Sequence, residues 1–139
     1  MRKMAKIVLS VTIMFVLLVS VQAFSASGNS TISLGKNKTW TPIKKATART
    51  GNYNDVKLRN NSCYPGAGGH DNYKIIWGNA RLTTGTGTIL TKDVELNEEK
   101  GTQTGSIKNG YLGAKSVIFV FRGNQDHLTC KADVTYNAR

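Results

Sequence analysis

The chain reads as an all-β protein, a single-domain antiparallel β-sandwich of about eight short strands, with a small closed β-barrel as the alternative. Three observations point there. Past residue 23, no window keeps apolar residues at helical spacing for three turns. Gly, Thr, Asn, Val, Ile and Tyr dominate that part of the chain, a composition suited to strands and tight turns. Short apolar runs also alternate with polar residues and are punctuated by Gly and Asn at regular intervals.

Residues 1–23 stand apart from this pattern. Arg2, Lys3 and Lys6 precede an apolar run over residues 7–21, and Val21-Gln22-Ala23 supplies the small residues of a cleavage site, so a secretory signal peptide cut after Ala23 is expected. The run is shorter than the roughly 20 residues of a membrane-spanning helix and contains Ser10, Thr12 and Ser20. No transmembrane anchor is therefore expected in the mature form. Residues 24–30 are small and polar and read as a flexible leader, leaving 31–139 as the β-sandwich domain. The layout resembles small secreted β-proteins of Gram-positive bacteria, and the signal pattern of residues 1–23 makes an extracellular location the expectation.

The first strand is expected over residues 31–34, turned by Gly35-Lys36-Asn37 into a second over 38–43 with Trp40 as core anchor. Residues 53–59 alternate, with Val56 and Leu58 on one face and Asp55, Lys57 and Arg59 on the other. Residues 60–72 read as a loop around Cys63. A further strand runs through Ile75, Ile76 and Trp77 towards Leu82, and the Thr/Gly ladder over 83–91 suits an exposed or bulged strand. Val94 and Leu96 share a phase. Asn109-Gly110 has the composition of a type I′ hairpin turn between flanking strands. Residues 116–122 are apolar on both faces and so central. In the last strand Cys130, Ala132, Val134 and Tyr136 point one way, and Lys131, Asp133 and Thr135 the other.

Two cysteines in an exported chain predict one disulfide, Cys63 to Cys130, stapling the middle of the chain to its last strand. In the chain-entropy model such a bridge contributes roughly 4 kcal/mol. No second thiol or His stands at ligand spacing from either cysteine, and the acidic residues Asp93, Glu95, Glu98 and Glu99 lack calcium-loop spacing, so neither a metal nor a cofactor is expected.

Charge carries the functional expectation. Removing residues 1–23 leaves 16 basic and 8 acidic residues, a net charge of +8. Residues 24–81 hold nine basic and two acidic residues, residues 82–139 seven and six, so the excess is N-terminal. Lys44, Lys45, Arg49, Lys57 and Arg59, with Tyr53 in phase, form the candidate binding patch. The partners that match it are an anionic wall polymer, a polysaccharide or lipid headgroups, rather than a specific nucleic acid sequence. The leading expectation is thus a secreted, basic, non-enzymatic binding protein of the cell envelope. Two alternatives remain open: an exported bacteriocin-like or toxin-like antagonist acting at a target membrane, and a small extracellular nuclease or hydrolase. The last would use His127 as acid, Glu95 or Glu98 as base and Arg122 on phosphate, a set that no spacing brings together. His70, beside Asp71, is the other histidine. No catalytic residue is assigned.

Overall fold

A computed structural model describes residues 27–49, 53–66, 74–83 and 87–139. The expected signal peptide, its cleavage point at Ala23, and His70 lie outside the described residues. Nine strands are seen among the described residues: β1 (Ser27–Leu34), β2 (Thr41–Pro42), β3 (Thr47–Ala48), β4 (Asp55–Pro65), β5 (Ile75–Leu82), β6 (Val94–Asn97), β7 (Gln103–Ser106), β8 (Ser116–Gly123) and β9 (Cys130–Asn137). They form two antiparallel sheets, one in the order β1-β9-β4-β7, the other in the order β2-β8-β5-β6 with β3 also on β8. The class is all-β, with two antiparallel sheets.

Alternation decides which side of each strand faces inward. Along β9, Cys130, Ala132, Val134 and Tyr136 are buried while the residues between them stay more open. β8 buries Val117, Phe119 and Phe121 on one side; on the other Val120 is only 4% exposed, while Ile118 is half-buried. One buried cluster takes side chains from both sheets: Leu34, Leu58 and Val134 from the first, Ile76, Leu96 and Phe119 from the second. The rings of Phe119 and Tyr136 join the two, with centroids 5.0 Å apart. Burying a side chain such as Phe119 contributes about 1.5–3 kcal/mol, so these contacts are a main source of stability. Gly28 makes room for them, since a Cβ there would stand 2.6 Å from the Tyr136 ring.

Five expectations need correction. β1 begins at Ser27 and pairs with β9 over its full length, so part of the presumed leader is strand. β4 continues past Arg59 to Pro65: a register shift between Asn60 and Ser62 inserts one residue, which moves the inward phase from Asn60 to Cys63 and breaks the alternation that a sequence reading follows. Trp40 is no core anchor. β2 is only two residues long, and Trp40 stands half-buried beside two arginines on the outer side of the second sheet. Asn109-Gly110 forms no I′ hairpin, because neither residue has positive φ; Asn109–Tyr111 is a 3-10 turn, and the strands on either side of it belong to different sheets.

The fifth correction concerns the cysteines. β4 and β9 are neighbours, and both sulfurs lie on the buried side, yet no disulfide joins them. Cys63 faces Ala132 across the ladder and Cys130 faces Pro65, so the two sit on a diagonal. Diagonal neighbours on adjacent strands are about 7–8 Å apart, beyond the roughly 4.4–6.8 Å between Cα atoms that a disulfide spans. The Cys63 sulfur instead accepts a hydrogen bond from Asn60 Nδ2 at 3.2 Å. That buried amide also reaches the carbonyls of Lys74 and Leu96, each at 3.4 Å, and so links β4 to the opposite sheet.

Candidate functional site

Arg49 organises one end of the molecule. It follows β3, and its N–H donates to the Lys115 carbonyl at 2.9 Å. Its guanidinium donates to the carbonyls of Leu112 at 2.7 Å and Ala114 at 3.0 Å, and also to that of Tyr53. A planar fork with several donors suits this task, because three carbonyls from two segments can be held by one side chain. The segment so held leaves β7 with the Ile107 N–H on the Asn54 carbonyl and the Lys108 N–H on the Leu90 carbonyl. It then turns through Asn109–Tyr111 towards β8.

The consequence is a basic end with an apolar tip. Lys108 and Lys115 stand exposed on the held segment, and the Arg139 guanidinium lies 4.5 Å from the centre of the Tyr53 ring. Tyr53 is 53% exposed and Leu112 36%, two of the four large apolar side chains exposed among the described residues, with Tyr64 and Ile89 the others. Neither segment brings an acid: none occurs over residues 43–54 or 106–116. Asp55, at the start of β4, is spanned by Lys57 at 3.4 Å and Arg139 at 3.8 Å. An open groove of about 800 Å³ runs between the edge strands β6 and β7, from Lys100 past Gln103 and Val94 to Lys108, where it meets the basic end.

The six expected patch residues divide among three places. Arg49 and Tyr53 belong to this end, Arg49 as its internal fastener. Lys44 and Lys45 are exposed on the link between β2 and β3, along the β8 edge that leads to it. Lys57 and Arg59 instead point out from the four-stranded sheet, where Lys57 is engaged with Asp55 and with Thr104 Oγ1 at 2.6 Å. Sequence reasoning set Lys108 and Lys115 outside the patch and did not weigh Leu112 or Arg139, since these segments are far from residue 49 in the chain.

The outer side of the four-stranded sheet is polar. Asp133 accepts hydrogen bonds there from Thr31 at 2.6 Å, Tyr64 at 2.7 Å and Ser62 at 3.3 Å. The hydroxyls of Thr31 and then Tyr64 hold its carboxyl below the ordinary aspartate value. On the opposite side of the molecule, Arg122 of β8 lies between Trp40 and Trp77, at 5.0 and 5.4 Å from their ring centres, with Asp93 at 3.8 Å. Glu95 faces Trp77 across the β5–β6 ladder.

Of the residues of the nuclease alternative, Arg122 and Glu95 flank Trp77 across neighbouring strands. Arg122 is stacked on indoles, Glu98 accepts the Cys63 N–H at 3.1 Å, and His127 is exposed on the link between β8 and β9. No hydrogen bond or ion pair joins His127 to Glu95, Glu98 or Arg122 among the described residues. The described residues also contain no group of three His, Cys, Asp or Glu able to hold a metal ion, and no helix long and apolar enough to cross a membrane. Comparison with family models, with curated proteins and with solved structures returned no match.

Proposed function

We propose that the protein is an exported, non-enzymatic β-sandwich that binds the phosphate or carboxylate groups of an anionic envelope surface, either wall polymer or lipid headgroups. The observation that carries this reading is the Arg49 fastener. By holding Tyr53, Leu112 and Ala114 together it places two exposed side chains beside Lys108 and Lys115, while Arg139, which stacks on Tyr53, and Lys57 form ion pairs with Asp55. Cations around an apolar tip suit a surface that offers both negative charge and a boundary into which a ring can settle. Export rests on the pattern of residues 1–23.

The test compares two charge reversals of equal size. Lys108→Glu with Lys115→Glu alters the basic end, whereas Arg59→Glu with Lys131→Glu alters the outer side of the four-stranded sheet. Binding to phosphatidylglycerol vesicles and to soluble wall teichoic acid is measured at rising salt. The first pair should weaken binding far more than the second, with a steep salt dependence because exposed charges are screened over about 8–10 Å near 0.1–0.15 M. Equal effects would show that net charge alone matters. The two ligands separate the lipid source from the polymer source.

The exposed Tyr53 and Leu112 also favour a second reading, an antagonist that acts at a target membrane. Release of a trapped dye from the same vesicles would support it, and intact vesicles carrying bound protein would exclude it.

A further inference from the structure

The outer side of the five-stranded sheet carries a second and independent surface. The β5–β8 register sets Trp77 opposite Arg122, the β5–β6 register sets Trp77 opposite Glu95, and Thr41 opposite Phe121 brings Trp40 beside Arg122. One row across the strands is therefore Trp40, Arg122, Trp77, Glu95. The next row is Pro42, Val120, Asn79, with Asp93 beyond it. Arg81, two residues along β5 from Asn79, reaches back so that its guanidinium lies 5.2 Å from the Trp40 ring centre.

Asn79 locks this arrangement from beneath. It is fully buried, its Nδ2 donates to Asp93 Oδ1 at 2.8 Å, and its Oδ1 accepts from Arg81 Nε at 3.3 Å. The amide thus fixes a cation and an anion at the surface while spending both of its own ends. Arg122 has Asp93 as a carboxylate partner at 3.8 Å, but no carboxylate pairs with Arg81 among the described residues. Both tryptophans of the chain sit here, each partly open to solvent.

We infer that this surface binds a glycan chain bearing uronic acids. The apolar C–H face of a pyranose ring rests against the part of the Trp77 ring that Arg122 leaves open, since Trp40 carries both the Arg81 and the Arg122 guanidinium. Ring hydroxyls are met by Asp93 and Glu95, and a sugar carboxylate takes the fork of Arg81, whose guanidinium geometry matches it. A row that runs from Trp40 across β8, β5 and β6 suits an extended polymer rather than a small molecule, which would need a concave pocket.

The two indoles make the site self-reporting. Oligogalacturonate is titrated into the full chain while tryptophan emission is followed, with a neutral chitooligosaccharide alongside. A saturable change in emission with the acidic glycan is expected, and a much weaker one with the neutral glycan. Arg81→Gln, which keeps both indoles, should weaken oligogalacturonate binding about ten-fold and erase the preference over the neutral chain. Trp77→Ala, checked for cooperative unfolding, should weaken both glycans. Lys108→Glu with Lys115→Glu should leave the titration unchanged, which keeps this result separate from the fate of the basic end. Unchanged emission on adding oligogalacturonate, or an Arg81→Gln variant that binds as the parent does, would overturn the inference.

Discussion

Replacing Arg49 by Met keeps the length of the side chain and removes its fork, which isolates the fastening role from simple packing. Three carbonyls lose a donor: those of Leu112 and Tyr53, which are solvent-exposed, and that of Ala114, which is partly buried. Hydrogen bonds to charged groups contribute about 1.5–3 kcal/mol each when shielded, but exposed acceptors recover most of this from water. Taking the low end for Ala114 and a few tenths for each of the others gives about 2 kcal/mol. For a chain of this size that corresponds to a fall in Tm of roughly 6–12 °C. Urea unfolding followed by tryptophan emission should show a lower midpoint at unchanged slope, because the surface exposed on unfolding is the same. Arg59→Met is the control: Arg59 is exposed on the outer side of β4, and its loss should stay within about 0.5 kcal/mol. If the two variants unfold alike, Arg49 fastens nothing and the basic end is not built as described.

Other outcomes follow from the same contacts. Phe119→Ala empties a fully buried site against Tyr136 and should cost about 3–5 kcal/mol in chemical denaturation; a loss under about 1.5 kcal/mol would mean the two sheets do not meet through these rings. Gly28→Val drives a side chain into the Tyr136 ring and should displace it from both Phe119 and the Ser30 hydroxyl, 3.1 Å away, so near-ultraviolet circular dichroism should change; an unaltered spectrum would contradict the β1–β9 register. The Asp133 carboxyl has a lower pKa folded than unfolded, so its stabilising effect is complete above the unfolded value of about 3.9 and is lost as pH falls through the folded value. Thr31→Val with Tyr64→Phe should therefore flatten the acid limb of stability below about pH 4. Identical acid limbs in parent and variant would show that these hydroxyls do not hold the charge.

Within single strands the local pattern was legible. The inward sets Val56 with Leu58, Val117 with Phe119 and Phe121, and Cys130 through Tyr136 all follow from a side-chain period of two, which needs no knowledge of the partner strand. The all-β class follows from the same runs. What the chain did not disclose locally is where pairing overrides alternation. The extra residue near Asn61 lets β4 run on beside β9, and only the facing strand makes that insertion tolerable. Asn109-Gly110 has hairpin composition, but β7 and β8 are drawn to different sheets, so the turn it would close never forms.

The candidate surfaces show the same division. Trp77 could have been placed outward from sequence, because Ile76, Gly78 and Ala80 already fill the inward phase of β5. Its neighbours could not, since Trp40, Arg122 and Asp93 reach it through strand pairing with no trace in local spacing. The total positive charge is a property of composition alone. Its collection around Tyr53 and Leu112 is not: Arg49, the segment carrying Lys108 and Lys115, and Arg139 are far apart in the chain and come together only because the starts of β4 and β8 and the end of β9 close the same end of the molecule. Local sequence determines which way a side chain faces along its own strand. Its neighbours depend on contacts between residues distant in the chain, and those exist only in the folded molecule.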